Sequence, residues 1–124
     1  MKFTNTAKRG LLLATLLAAQ LTFLSGSLLA DGNAEAGQEK AKLCEACHGA
    51  DGKAEVIVLH MDTPPKDQSD PVYMKTLPDA YLYLAICRGG LGVGKNFIMP
   101  AWGDLLSDQD IKDLVAQIRT FSGT

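Results

Sequence analysis

Between Leu11 and Ala30 the chain is almost unbroken apolar sequence, and no later stretch repeats such a run. Lys2, Lys8 and Arg9 precede it, and small residues around Ser25-Gly26-Ser27 lead to Ala30-Asp31. That layout predicts a secretory signal peptide over residues 1–30, with Ala30 the last residue removed. Cleavage after Ala34-Glu35-Ala36 would remove a helix start. The competing reading is an uncleaved anchor, because the run approaches the roughly 20 apolar residues that span a bilayer. Thr15, Gln20 and Thr22 weaken such a span, and the small-residue ending favours removal.

Beyond residue 31 helix-forming segments alternate with loops. Asn33 is a good N-cap, and Ala34 to Cys47 is rich in Ala, Glu, Gln and Lys, so a helix is expected there, closed by Gly49. Residues 50–78 read as loop, broken by Pro64, Pro65, Pro71 and Pro78, with a short apolar run at Val56–Leu59 and one turn near Pro71–Met74. A second helix is expected from Asp79, just after Pro78, through Ile86, ended by Gly89-Gly90. Tyr81, Leu82, Leu84 and Ala85 on it read as core. Glycines 89, 90, 92 and 94 then lead to Phe97-Ile98-Met99-Pro100. Ser107 and Asp110 form an S-x-x-D cap before Ile111, Leu114, Val115 and Ile118, an apolar stripe on a helix of about four turns. Lys112, Asp113 and Gln117 fall on its polar side. No strand alternation and no repeat occurs. The pattern predicts one all-α domain over residues 31–124, three to four helices joined by long loops.

Charge narrows the function classes. The chain has 12 basic and 14 acidic residues among 124. Removing Lys2, Lys8 and Arg9 with the signal leaves nine against fourteen, a net −5. No basic patch survives to bind nucleic acid. The proline-broken middle also leaves little side-chain core for so small a domain, which suggests that a large apolar cofactor completes the interior.

The chemistry concentrates in Leu43-Cys44-Glu45-Ala46-Cys47-His48-Gly49. A redox C-x-x-C follows a strand and opens a helix, where the thiol pKa falls; here the pair ends a helix and no βαβ pattern surrounds it. A structural zinc needs four ligands. Adjacent Cys47 and His48 rarely share one tetrahedral ion, and His60 and Cys87 lack finger-like spacing. C-x-x-C-H is the haem-attachment pattern. Cys44 and Cys47, three apart on a helix, point the same way and suit two thioether bonds to one porphyrin edge. His48 then offers its imidazole to the iron.

The opposite face of the iron needs a second reading. Met/His ligation raises the reduction potential and belongs to electron-carrying cytochromes. Met99 sits in Phe97-Ile98-Met99-Pro100-Ala101-Trp102-Gly103, after the glycines and bracketed by Pro100 and apolar side chains, as a rigid ligand loop requires. Met61, Met74 and His60 have no such surroundings. Most methionines are core filler.

Cys44-x-x-Cys47-His48-Gly49, Met99-Pro100-Ala101-Trp102-Gly103 and the capped helix SDQDIKDLVAQIRTF resemble, in order and spacing, the class I monohaem cytochromes c of bacteria. The resemblance covers Asn33 to Phe121. It implies a cytochrome c fold whose first and last helices cross, with Gly37 and Ala41 meeting the Leu114–Ile118–Phe121 stripe. It implies one covalently bound haem c, largely enclosed with one edge exposed, and Met99 as the distal ligand. In many relatives a proline about a dozen residues past the histidine offers its carbonyl to the axial imidazole. Here Glu55 to His60 holds no proline, which leaves that acceptor unassigned.

The resulting expectation is an exported, periplasmic, non-enzymatic carrier that shuttles single electrons between redox proteins, such as a periplasmic dehydrogenase and a membrane oxidase or reductase. It would be a monomer, without membrane insertion once the signal is gone. The alternative is a haem-based gas-binding or sensing module with an open sixth site. Cys87, which attachment does not use, reads as a small buried hydrophobe, with disulfide dimerisation as the competing possibility.

Overall fold

The computed structural model describes residues 32–124, so the signal peptide expected over residues 1–30, and the alternative anchor there, lie outside the described residues. Five α-helical segments follow one another: α1 (Ala34–Lys40), α2 (Glu45–His48), α3 (Pro71–Met74), α4 (Asp79–Gly92) and α5 (Asp108–Ser122). Two 3₁₀ turns, Ala41–Leu43 and Ile57–Leu59, complete the regular structure, and no strand occurs among the described residues. The class is all-α, as the periodicity predicts.

Helix α1 starts where Asn33 caps it, its side chain accepting from the Ala36 amide. The single helix expected from Ala34 to Cys47 is instead three pieces. Lys40, Ala41 and Cys44 keep right-handed helical dihedrals while the bonding tightens to three-residue spacing, so the path continues at a narrower pitch. Gly49, at φ 76°, ends α2 as expected.

Helix α5 carries the capping box read from the sequence: Ser107 accepts from the Asp110 amide, and the Asp110 carboxylate accepts from the Ser107 amide. Its Ile111, Leu114 and Val115 are buried with Met74, Leu82 and Ile86 in one core, and Ile118, Tyr81 and Trp102 pack around it. Leu82 and Ile86 are the core residues of α4, whereas Leu84 is 40% exposed.

Helices α1 and α5 make the most extensive contact in the fold. The face that meets α1 differs from expectation. Asp113 and Gln117, read as solvent-facing, are buried. A methyl group on Gly37 would lie 2.1 Å from the Asp113 carbonyl oxygen and 2.9 Å from Gln117 Cβ, so backbone meets backbone on this side of α5, beside the Leu114 stripe. Proximity buries both residues, and the Asp113 carboxylate is satisfied there: it accepts from the Asn33 amide (2.8 Å), Gln109 Nε2 (2.9 Å) and Lys40 Nζ (3.1 Å). Ala41 is partly buried against the core, and Phe121 approaches Gly52.

Arg119 ties the far end of α5 to the α3–α4 connection. Its guanidinium donates to the Met74 carbonyl (2.8 Å) and the Leu77 carbonyl (2.5 Å), and Nε donates to Asp79 (2.8 Å). One planar fork thus satisfies carbonyls released where α3 ends.

Candidate functional site

Cys44 forms the joint between the first 3₁₀ turn and α2, and Cys47 and His48 lie on α2 itself. The Cys44 carbonyl accepts from the amides of Cys47 (3.1 Å) and His48 (2.9 Å), so one tight helical turn separates the two sulfurs and brings them to one side. Cys47 is exposed and Cys44 half-buried, and neither is in a disulfide. Burial pushes the Cys44 thiol up, and the charges of Cys47 and Glu45 add to the effect. A thiol held protonated is a poor nucleophile, so Cys44 is not an activated thiol. Burial pushes the half-buried His48 down, favouring the neutral imidazole that binds metals. Its Nδ1 lies 3.3 Å from Gln68 Nε2. Among the described residues no group of three or more His, Cys, Asp and Glu side chains is arranged around an ion, so a zinc site lacks its ligand set.

The Met99 segment is pinned to α4 by a break in that helix. Gly89 leaves helical geometry at φ 68°, ψ −175°. Backbone groups on both sides of the break take partners from the loop. The Gly90 amide donates to the Met99 carbonyl (2.9 Å), the Trp102 amide to the Ile86 carbonyl (3.0 Å) and the Gly103 amide to the Cys87 carbonyl (2.9 Å). A Cβ on Gly89 would stand 2.7 Å from the Met99 oxygen and 2.8 Å from the Ala101 nitrogen, so only glycine fits against this loop. The Met99 side chain is half-buried at the edge of the core with Trp102 and Cys87. The apolar bracket expected to keep water away is less closed than the sequence suggests: Phe97 is 74% and Ile98 44% exposed.

The other candidates separate by environment. Met74 is 1% exposed and serves as core. His60 is exposed and caps the second 3₁₀ turn. Cys87 packs against the core as a small apolar group. Two residues escaped the sequence reading. Gly89 was legible only as a helix end, and Gln68 carried no signal, because a glutamine in a proline-rich loop resembles any solvated loop residue.

Haem c suits this donor set. Two thiols one turn apart adjoin a neutral imidazole that has the Gln68 amide at its Nδ1. Large apolar side chains flank both candidate segments and are exposed: Leu43 (73%) beside Cys44, Val56 (75%) and Leu59 (79%) in the following loop, and Phe97 and Ile98 before Met99. Exposed apolar surface at a polar cluster is the lining a flat, largely hydrophobic ligand requires.

Comparison with known proteins agrees. A family profile described as cytochrome C oxidase, cbb3-type, subunit III matches residues 32–118. The chain is 35% identical over 95 residues to cytochrome c4 of Pseudomonas aeruginosa, covering 75% of this chain and 40% of that protein. It is 34% identical over 105 residues to cytochrome c4 of Stutzerimonas stutzeri, covering 82% and 47% respectively. The chain therefore spans less than half the length of these relatives. A profile match across most of the sequence, on a helical fold with this donor set, settles the family: the chain belongs to the class I c-type cytochromes, electron-transfer proteins whose cofactor is covalently bound haem c with its iron.

Proposed function

We propose that this protein is an exported carrier that shuttles single electrons between redox partners through His/Met-ligated haem iron, with no catalysis of its own. When bound, the haem supplies one-electron iron chemistry. Cys44 and Cys47 would hold it through thioethers, His48 would supply one axial ligand and Met99 the other.

One observation carries the choice of a carrier over a gas-binding module, namely the stitching of the Met99 loop to α4 at the Gly89 break. Three backbone bonds fix the loop that bears the thioether. A thioether held by its own backbone would keep its place as the cofactor gains or loses an electron. Little then has to reorganise, which is what fast electron exchange requires. An open sixth site would need no such anchoring.

The remaining attributes rest on the sequence. The apolar run at residues 11–30 supports export to the periplasm, and no described helix is long and apolar enough to cross a membrane. The expected partners are a dehydrogenase on the donor side and a membrane oxidase or reductase on the acceptor side, met by a monomer. A net charge of −5 after signal removal disfavours partners that are strongly acidic at the contact.

The test is ligand exclusion. The reduced, haem-loaded protein is titrated with carbon monoxide and, separately, oxidised and reduced against mediators. A carrier takes up no carbon monoxide and cycles reversibly through one electron. Ready uptake would overturn the His/Met assignment and favour the sensor.

A further inference from the structure

The axial imidazole of a c-type haem needs a partner on its second nitrogen, and this chain lacks the proline that supplies one in many relatives. For His48 to ligate through Nε2, its proton must sit on Nδ1, and such an N–H is fixed by whatever accepts it. No proline occurs between His48 and Pro64, and Ile57–Leu59 is a 3₁₀ turn. The group at Nδ1 is a side chain, Gln68, with its amide 3.3 Å away.

That placement is built by the backbone. The chain doubles back after α2: the Ala54 amide donates to the His48 carbonyl (2.9 Å), and the Gln68 amide donates to the Gly52 carbonyl (2.9 Å). Gly52 is buried, and a Cβ there would stand 3.0 Å from Gln68 Cβ and 2.6 Å from Phe121 Cδ2. The absence of a side chain at Gly52 therefore lets Gln68 and the last turn of α5 close over the loop. Gln68 is held from its own main chain, one side chain's length from the ring.

We infer that Gln68 is the positioning residue for His48: its amide holds the imidazole in the iron-binding tautomer and tunes its donor strength. A side-chain amide carries both a donor and an acceptor. In the structure Nε2–H faces Nδ1, which suits a ring protonated on Nε2. A half-turn of the amide presents Oε1 to Nδ1–H, which suits a ring bound to iron. A glutamine thus serves both states of the histidine, whereas a carbonyl could only accept. An accepted Nδ1–H makes the imidazole a stronger donor, which favours the ferric iron and lowers the midpoint potential.

The inference rests on His48 being an axial ligand, so the experiment reads the two separately. Haem-loaded protein is prepared unmodified and as Gln68→Leu, Gln68→Glu and, as a charge control, Ser69→Glu. Low-spin spectra in the unmodified protein establish axial ligation; their absence would sink that reading and this inference with it. Given those spectra, Gln68→Leu is expected to raise the midpoint, and Gln68→Glu to lower it further than Ser69→Glu does. In histidine-¹⁵N-labelled protein, deuterium exchange of the His48 Nδ1–H is expected to accelerate roughly five- to tenfold in Gln68→Leu, the ratio a net hydrogen bond supports. If Gln68→Leu folds poorly, the comparison of the two glutamate variants decides. Gln68→Glu shifting the midpoint no further than Ser69→Glu, or unchanged exchange in Gln68→Leu, would overturn the role of Gln68.

Discussion

Replacing Gly89 by alanine tests how the Met99 loop is held, and the structure sets the size of the effect. Two penalties combine. The backbone at φ 68°, ψ −175° lies in a region essentially reserved for glycine, which costs an alanine about 1–3 kcal/mol. The added methyl would also sit 2.7 Å from the Met99 oxygen and 2.8 Å from the Pro100 carbonyl carbon, both backbone atoms that cannot swing aside. The loop must move, breaking bonds from Gly90 to Met99, Trp102 to Ile86 and Gly103 to Cys87, each worth about 1 kcal/mol net. The sum is about 4–6 kcal/mol, a large share of the ~5–15 kcal/mol that holds a domain together. Gly94 supplies the control. It has φ 69° with nothing within 4 Å of the added carbon, so Gly94→Ala bears the dihedral cost alone, about 1–2 kcal/mol. Guanidinium unfolding of the haem-loaded variants, followed by circular dichroism, measures the difference. Gly89→Ala lying within about 1 kcal/mol of Gly94→Ala would refute the reasoning, since the stitched loop would then contribute nothing.

Other consequences are as specific. Gly37→Ala should destabilise, although alanine favours an α-helix by about 1 kcal/mol, because the methyl would collide with the Asp113 carbonyl where α1 and α5 cross; a lower thermal midpoint checks this. Asp113 is held below the usual carboxylate range by the Asn33 amide, Gln109 and Lys40, and Asp110 is held low by Ser107, then Lys40. Their stabilisation is complete above the unfolded value of about 3.9 and is lost as pH falls through the lower folded values, so Asp113→Asn should flatten the acid limb of urea midpoints plotted against pH. The Tyr83 phenol, which donates to Asp108 at 2.6 Å, is pushed up to about 12; Asp108→Asn should return its ultraviolet titration toward the ordinary value of about 10. Arg119→Lys should cost about 1–3 kcal/mol, because an ammonium cannot reproduce the fork that reaches Met74, Leu77 and Asp79 together.

What the sequence disclosed were features set by local chemistry. Asn33 and the Ser107–Asp110 box mark helix starts because a side chain there must satisfy free amides, whatever the rest of the fold does. The C-x-x-C-H spacing is equally local. What stayed hidden depends on partners far along the chain. Asp113 and Gln117 look like a polar face until α1 lies across them, since periodicity records hydrophobicity and not which neighbour approaches. Gly89 reads as a stop signal, yet its significance comes from a returning loop, whose Met99 carbonyl accepts from the Gly90 amide and whose Trp102 and Gly103 amides reach the Ile86 and Cys87 carbonyls. Gln68 is the extreme case, adjoining His48 only because the loop at Gly52 doubles back.

The central proposal is that the His48 imidazole and the Met99 thioether would both bind the haem iron. Ferric absorption spectra of the haem-loaded protein and of Met99→Ala test it most directly. The unmodified protein should show the weak sulfur-to-iron band at the red end of the spectrum, and Met99→Ala should lose that band while its midpoint potential falls. A Met99→Ala spectrum and midpoint identical to those of the unmodified protein would contradict the claim.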